Sequence, residues 1–299
     1  MSNTKLDAIA APPVGHAHHW QHLHGSAATL ALARLAARKD TGLLVYVASD
    51  TESAIRVSGE LSYSCGPTAD QVMLFPEWET LPYDSFSPHQ DIVSTRVSVL
   101  NALPTQTTGV LVVSMQTLMQ RLAPARYIHG QTLHFEVGGT LDLSAERERF
   151  LRAGYRHVDT VMERGEFAVR GSIIDIFPMG AELPYRIDLF DDEIETLRTF
   201  ETESQRTVAK VDSIRLLPAK EFPLDAESIA RFRDSWHRAF VVDVRRCQIY
   251  QDVSEAVAPQ GVEYYLPFFF ESTATLFDYL PETSLFVFDP AAREAADAF

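Results

Sequence analysis

In the first 130 residues, apolar positions fall in short continuous runs. These are Leu43-Leu44-Val45-Tyr46-Val47, Val72-Met73-Leu74-Phe75 and Val110-Leu111-Val112-Val113. Segments with helical spacing alternate with them: Ser26 to Arg38, Glu52 to Leu61 and Ile92 to Leu103. An unbroken apolar run of strand length is buried on both faces, as in a parallel sheet covered by helices. Residues 1–130 therefore read as an α/β domain.

Near Gly138-Gly139 the period changes. One charged helix, Ser144 to Ala153, is followed by alternating runs with tight turns. His157 to Glu163 and Glu166 to Phe177 flank Arg164-Gly165, and Tyr185 to Phe190 and Ile194 to Phe200 flank Asp191-Asp192-Glu193. Period-two alternation with short connections predicts antiparallel hairpins. Residues 131–215 thus form an inserted α+β module. From Pro218 the helical signal returns, with Asp225 to Phe240 as one amphipathic helix. Ser284 to Asp289 reads as a last buried strand. Residues 216–299 are expected to complete the α/β domain, making it discontinuous.

Charge narrows the functions open to the chain. Its 41 acidic and 26 basic residues leave −15, distributed as −2, −6 and −7 over the three segments. Duplex DNA needs a basic footprint, so autonomous DNA binding is disfavoured. Two cysteines, Cys65 and Cys247, lie far apart and support neither a disulfide framework nor a zinc ribbon. No apolar run reaches membrane-spanning length, and Met1 to Val14 shows no secretory signal. A cytoplasmic protein without membrane contact is the expectation.

Candidate chemistry is sparse. His24-Gly25-Ser26-Ala27-Ala28-Thr29 opens the first helix, where a phosphate-binding loop GxxxxGK[ST] would sit. Aligned on Thr29, Ala28 replaces the lysine, Ala27 the preceding glycine and His22 the first glycine. Only Gly25 and Thr29 fit. Two readings stay open: a decayed phosphate loop, or a plain loop with a helix cap at Gly25 or Ser26. Neither predicts ATP hydrolysis, because the pocket lacks its cation and carries two extra Cβ atoms. His16, His18, His19, His22 and His24 have no nearby carboxylate or cysteine to complete a metal shell. The acidic turns and helix faces read as solvated surface. No nucleophile with a recognisable base occurs, so no catalytic residue and no cofactor is assigned.

The hairpins carry the sharper feature. Alternation places Tyr185, Ile187 and Leu189 inside and Arg186, Asp188 and Phe190 outside. It likewise buries Phe167 and Val169 and exposes Glu166, Ala168 and Arg170. An outward Phe190 beside two arginines has the composition of a protein-interface anchor. Alternatively, Phe190 ends its strand and folds under the Asp191 turn.

Several blocks resemble one family. Glu77-Trp78-Glu79-Thr80-Leu81-Pro82-Tyr83-Asp84-Ser85-Phe86-Ser87-Pro88-His89-Gln90-Asp91-Ile92 is one, and Gly154 to Asp159 another. Gly165 to Gly171, Asp175 to Pro178, Glu182 to Asp188 and Phe190 to Ile194 complete the set. Together they resemble the N-terminal region of the bacterial transcription-repair coupling factors (the Mfd family). That region is similar to domains 1a, 2 and 1b of the damage-recognition helicase UvrB. The resemblance implies that 1–130 and 216–299 are a degenerate helicase core without motor function. It implies that 131–215 recruits UvrA, the damage-sensing ATPase of nucleotide excision repair, through Arg170, Arg186 and Phe190. The DNA-gripping hairpin of UvrB has no counterpart after Phe86-Ser87-Pro88, so DNA gripping is not carried over. RNA polymerase and DNA contacts, and an ATP- and magnesium-dependent translocase, are implied for a further C-terminal part, so the chain is expected to be a fragment. A non-catalytic docking module is the leading reading; a nucleotide hydrolase or an autonomous DNA-binding domain is the alternative.

Overall fold

A computed structural model describes residues 12, 15–38, 42–65, 71–81 and 84–298. Met1 to Val14 apart from Pro12, and Pro82-Tyr83 within the first family-like block, lie outside the described residues. The chain opens with α1 (Ala27–Ala36), β1 (Leu43–Ala48), α2 (Thr51–Cys65), β2 (Val72–Phe75), α3 (Gln90–Ala102) and β3 (Gly109–Ser114). Then come α4 (Met115–Leu118), α5 (Ala125–Gly130), β4 (Leu133–Glu136) and α6 (Leu143–Arg152). Seven strands follow: β5 (Arg156–His157), β6 (Glu166–Arg170), β7 (Ile173–Ile176), β8 (Tyr185–Phe190), β9 (Glu193–Phe200), β10 (Thr207–Val211) and β11 (Ser213–Leu216). The last elements are α7 (Ala226–Ala239), α8 (Gln248–Ser254), β12 (Leu285–Phe288) and α9 (Ala292–Ala298).

These elements pack as two units. One gathers the residues up to Glu77, Ala102–Gln120 and those from Thr275 on; the other gathers Trp78–Asn101 and Arg121–Ala274. The first is built on a parallel sheet in the order β12-β1-β3-β2. Every residue of β1 and β3 is buried, as their unbroken apolar runs require. Leu32 and Leu35 of α1 and Ala54, Val57 and Leu61 of α2 cover one face. Gly109 starts β3 at φ 102°, where a Cβ would stand 2.4 Å from the Gln71 carbonyl oxygen, so no other residue fits there. The last strand differs from expectation. β12 lies at the sheet edge and is half-buried to exposed rather than buried, because it has one neighbour, β1.

The second unit holds a six-stranded sheet, β10-β9-β8-β7-β6-β5, and the pair β11-β4. The β6–β7 and β8–β9 hairpins are antiparallel, the latter turning at Asp191, whose φ of 52° is one that Asp tolerates. The run from His157 to Glu163 is not a strand beyond His157. β5 pairs parallel to β6, so Arg164-Gly165 does not close a hairpin. The buried carboxylate of Glu166 explains this: its Oε2 accepts the backbone N–H of Met162 at 2.8 Å and of Glu163 at 2.9 Å, folding that segment back as a loop. On the inner sheet face, Phe150 of α6 packs edge-on against Phe135, Tyr155 and Phe167. A separate aromatic cluster gathers Phe222, Phe232, Trp236, Tyr250 and Phe269 around α7 and α8.

One buried ion pair ties distant stretches of this unit together. Arg96 on α3 donates from Nε to Glu221 Oε1 at 2.6 Å and from Nη2 to Oε2 at 3.2 Å; neither side chain has more than 2% of its surface exposed. Trp78 Nε1 donates to the same Oε1 at 3.1 Å, and the guanidinium lies over the Trp78 ring. Removing one partner strands a buried charge. Arg96→Ala should therefore lower unfolding free energy by about 3–5 kcal/mol, read as a fall in the urea midpoint.

Candidate docking site

Arg170, Arg186 and Phe190 all lie on the outer face of the six-stranded sheet, but in two places. Arg170 and Arg186 converge on Asp175 of β7, a carboxylate with no exposed surface. Arg186 donates from Nε to Oδ1 at 2.7 Å and from Nη2 to Oδ2 at 2.9 Å, a bidentate fork. Arg170 donates from Nη2 to Oδ2. Arg186 also stacks over Phe200, 4.7 Å from its centroid, and its Nη1 reaches the Gln205 carbonyl at 3.4 Å. Its hydrogen bond to Asp175 raises its pKa above the ordinary guanidinium range. Phe190 stands four residues further along β8, about 13 Å away at the rise of a strand. It is 70% exposed and does not fold under the Asp191 turn.

Alternation alone misjudged part of this face. Glu166 and Ala168 point outward from β6 yet are buried. Ala168 packs with Val161, Phe177 and Phe200, which cover that end of the sheet. Nor are the two arginines free surface groups: the Arg186 side chain is 18% exposed and Arg170 49%. Of the three outward positions, Arg186 is mostly covered, because it neutralises the buried Asp175.

The Gly25 to Thr29 stretch has its own geometry. α1 begins at Ala27, and residues 15–24 before it contain no strand, so the strand–loop–helix frame of a phosphate loop is absent among the described residues. Gly25 adopts φ 57°, and Ser26, the residue before the helix, makes no side-chain capping bond. Ala27 and Ala28 lie in the first turn. Thr29 is buried and donates its hydroxyl to Glu60 Oε2 at 2.6 Å. That bond is the main reason the Glu60 carboxyl titrates below its usual range. Among the described residues, no group of three or more His, Cys, Asp or Glu is arranged to hold a metal.

Comparison with known proteins now bears on this face. Residues 133–222, which contain β4 through β11 and all of the residues around Asp175, match the UvrB interaction domain family. The Escherichia coli transcription-repair-coupling factor is 47% identical over 278 residues, 93% of this chain and 24% of that protein. The chain belongs to the transcription-repair-coupling factor family. The Haemophilus influenzae factor is 46% identical over 83% of the chain and the Mycobacterium tuberculosis factor 33% over 89%, each matched over 22% of its own length. The chain thus spans about a quarter of the length of the relatives it matches. No helix among the described residues is long and apolar enough to cross a membrane.

Asp175 is the residue that sequence reasoning missed at this face of the coupling-factor chain. Its signal was present: a lone acid within Ile173-Ile174-Asp175-Ile176, a strand otherwise apolar. Arg186→Ala leaves this carboxylate with Arg170 alone and should cost roughly 2–4 kcal/mol. Phe190→Ala should cost less than about 0.5 kcal/mol, since an exposed ring has little packing to lose. Urea unfolding of the two variants side by side measures the difference.

Proposed function

We propose that this chain is the non-catalytic docking part of a coupling factor, and that the outer face of its antiparallel sheet recruits UvrA for transcription-coupled nucleotide excision repair. The observation that carries this reading is Phe190: a large apolar ring, 70% exposed, on the same face as a clamped arginine pair, inside a UvrB interaction domain. Asp175 holds Arg170 in place while half of its side chain stays open to a partner carboxylate. Phe190 offers an apolar anchor at a second point, and two separated contacts fix orientation better than one. In this reading 131–215 is the docking domain, and 1–130 and 216–299 are the remains of a helicase core. RNA polymerase, DNA and ATP-driven movement then belong to the rest of a full-length coupling factor, acting in the bacterial cytoplasm.

The binding test is a titration of the chain against purified UvrA. Arg170→Ala and Phe190→Ala should each weaken binding about thirtyfold, or about 2 kcal/mol, with melting unchanged. Arg186→Ala should weaken it too, but through a less stable sheet. Wild-type affinity in the Arg170 and Phe190 variants places the docking face elsewhere.

The hydrolase alternative meets three obstacles: no lysine at Ala28, no strand before α1 among the described residues, and a Thr29 hydroxyl bound to Glu60 instead of open to a metal. Steady-state assays with and without DNA should find no ATP turnover that co-purifies with the chain and disappears on Thr29→Ala.

A further inference from the structure

The outer face of the sheet continues beyond Arg186. Arg198 on β9 lies directly opposite Arg186, and Lys210 on β10 directly opposite Arg198. Directly paired residues share a face, so three cations stand in one cross-strand row that starts at Asp175 on β7. Like charges placed directly opposite one another destabilise a sheet. The acids at hand offset that cost only in part. Asp175 is already engaged by Arg170 and Arg186. Asp188 accepts the Thr196 hydroxyl at 2.7 Å and forms an ion pair with Arg198 Nη2 at 3.6 Å, too long for a hydrogen bond.

Arg198 is therefore under-used. Its Nε is buried and has no hydrogen-bond partner among the described residues, a state that costs free energy unless something else meets it. Lys210 is exposed on an edge strand whose first four residues are all exposed. The row holds three cations and one acid, on a chain whose total charge is −15. A locally basic row on an acidic protein, with an unsatisfied donor in its middle, fits an acidic protein surface.

We propose that Arg198 and Lys210 extend the docking face across β9 and β10 and bind carboxylates of the same partner that Arg170 and Phe190 engage. The proposal rests on the docking reading above and adds the second half of the footprint. Adjacent strands are about 4.8 Å apart, so Arg186, Arg198 and Lys210 present charges at about 5 Å intervals across the strands. Acidic side chains one turn apart on a partner helix have nearly that spacing. Such a helix, laid across the strands, meets the row in register.

The test uses this chain, its variants and purified UvrA, at about 50 and 200 mM salt, which bracket strong and weak screening. Arg198→Ala should weaken binding about tenfold, and Lys210→Glu about tenfold at the lower salt and less at the higher. Neither variant should melt appreciably below the wild type: each removes a like-charge neighbour, Arg198→Ala also removes the unpartnered Nε, and the part-exposed ion pair it loses to Asp188 contributes little. A residue with a purely structural role behaves differently: loss of affinity together with a lower melting temperature for Arg198→Ala overturns the proposal. If Arg198→Ala and Lys210→Glu bind like wild type while Arg170→Ala and Phe190→Ala are weak, the extension is wrong and the docking reading stands. If all four bind like wild type, the docking reading itself falls.

Discussion

Asp175 sits in the middle of a β-strand with none of its surface exposed, where an unpaired carboxylate costs several kcal/mol. The strand on either side of β7 therefore has to bring a cation to it. β8 supplies Arg186 as a bidentate fork, and β6 supplies Arg170. The need is met only in one register, with Asp175 opposite Arg186 on one side and Ala168 on the other. A slip of one residue would turn the acid into the aromatic face around Phe150. The clamp thus pins the register of three strands and fixes the direction of two arginines at once.

The same constraint separates held from open side chains on the sheet. A guanidinium that satisfies a buried acid is rigid, and a rigid cation loses little freedom when a partner arrives. Arg170 keeps half of its side chain in solvent while held at one end. Phe190, beyond the clamp, has no structural duty and is open. One surface thus carries a held, mostly covered arginine at Arg186 beside the half-open Arg170 and the open Phe190 ring.

In the parallel-sheet unit, the loop before α1 is closed by a contact of its own. Thr29 still lies in the first turn of α1, but its hydroxyl is held by Glu60, an internal carboxylate near the helix N-terminus. An acid near that end interacts favourably with the helix dipole.

Local pattern was enough to find most elements. The runs at Leu43, Val72 and Val110 mark β1, β2 and β3, and the alternation from Tyr185 to Phe200 marks the β8–β9 hairpin, because burial period follows directly from backbone geometry. The family was also legible, since its blocks are contiguous in sequence. Other features depended on partners far along the chain. His157 to Glu163 alternates like a strand, but Glu166 claims its backbone N–H groups. Ala168 points outward, but Phe177 and Phe200 cover it. Arg96 lies in the helical stretch from Ile92 to Leu103, and only the fold brings Glu221 and Trp78 to enclose it. Periodicity determined which residues alternate between two faces; only the tertiary structure decided whether each face met water, a covering side chain or a buried opposite charge, because those neighbours come from strands and loops that no local window contains.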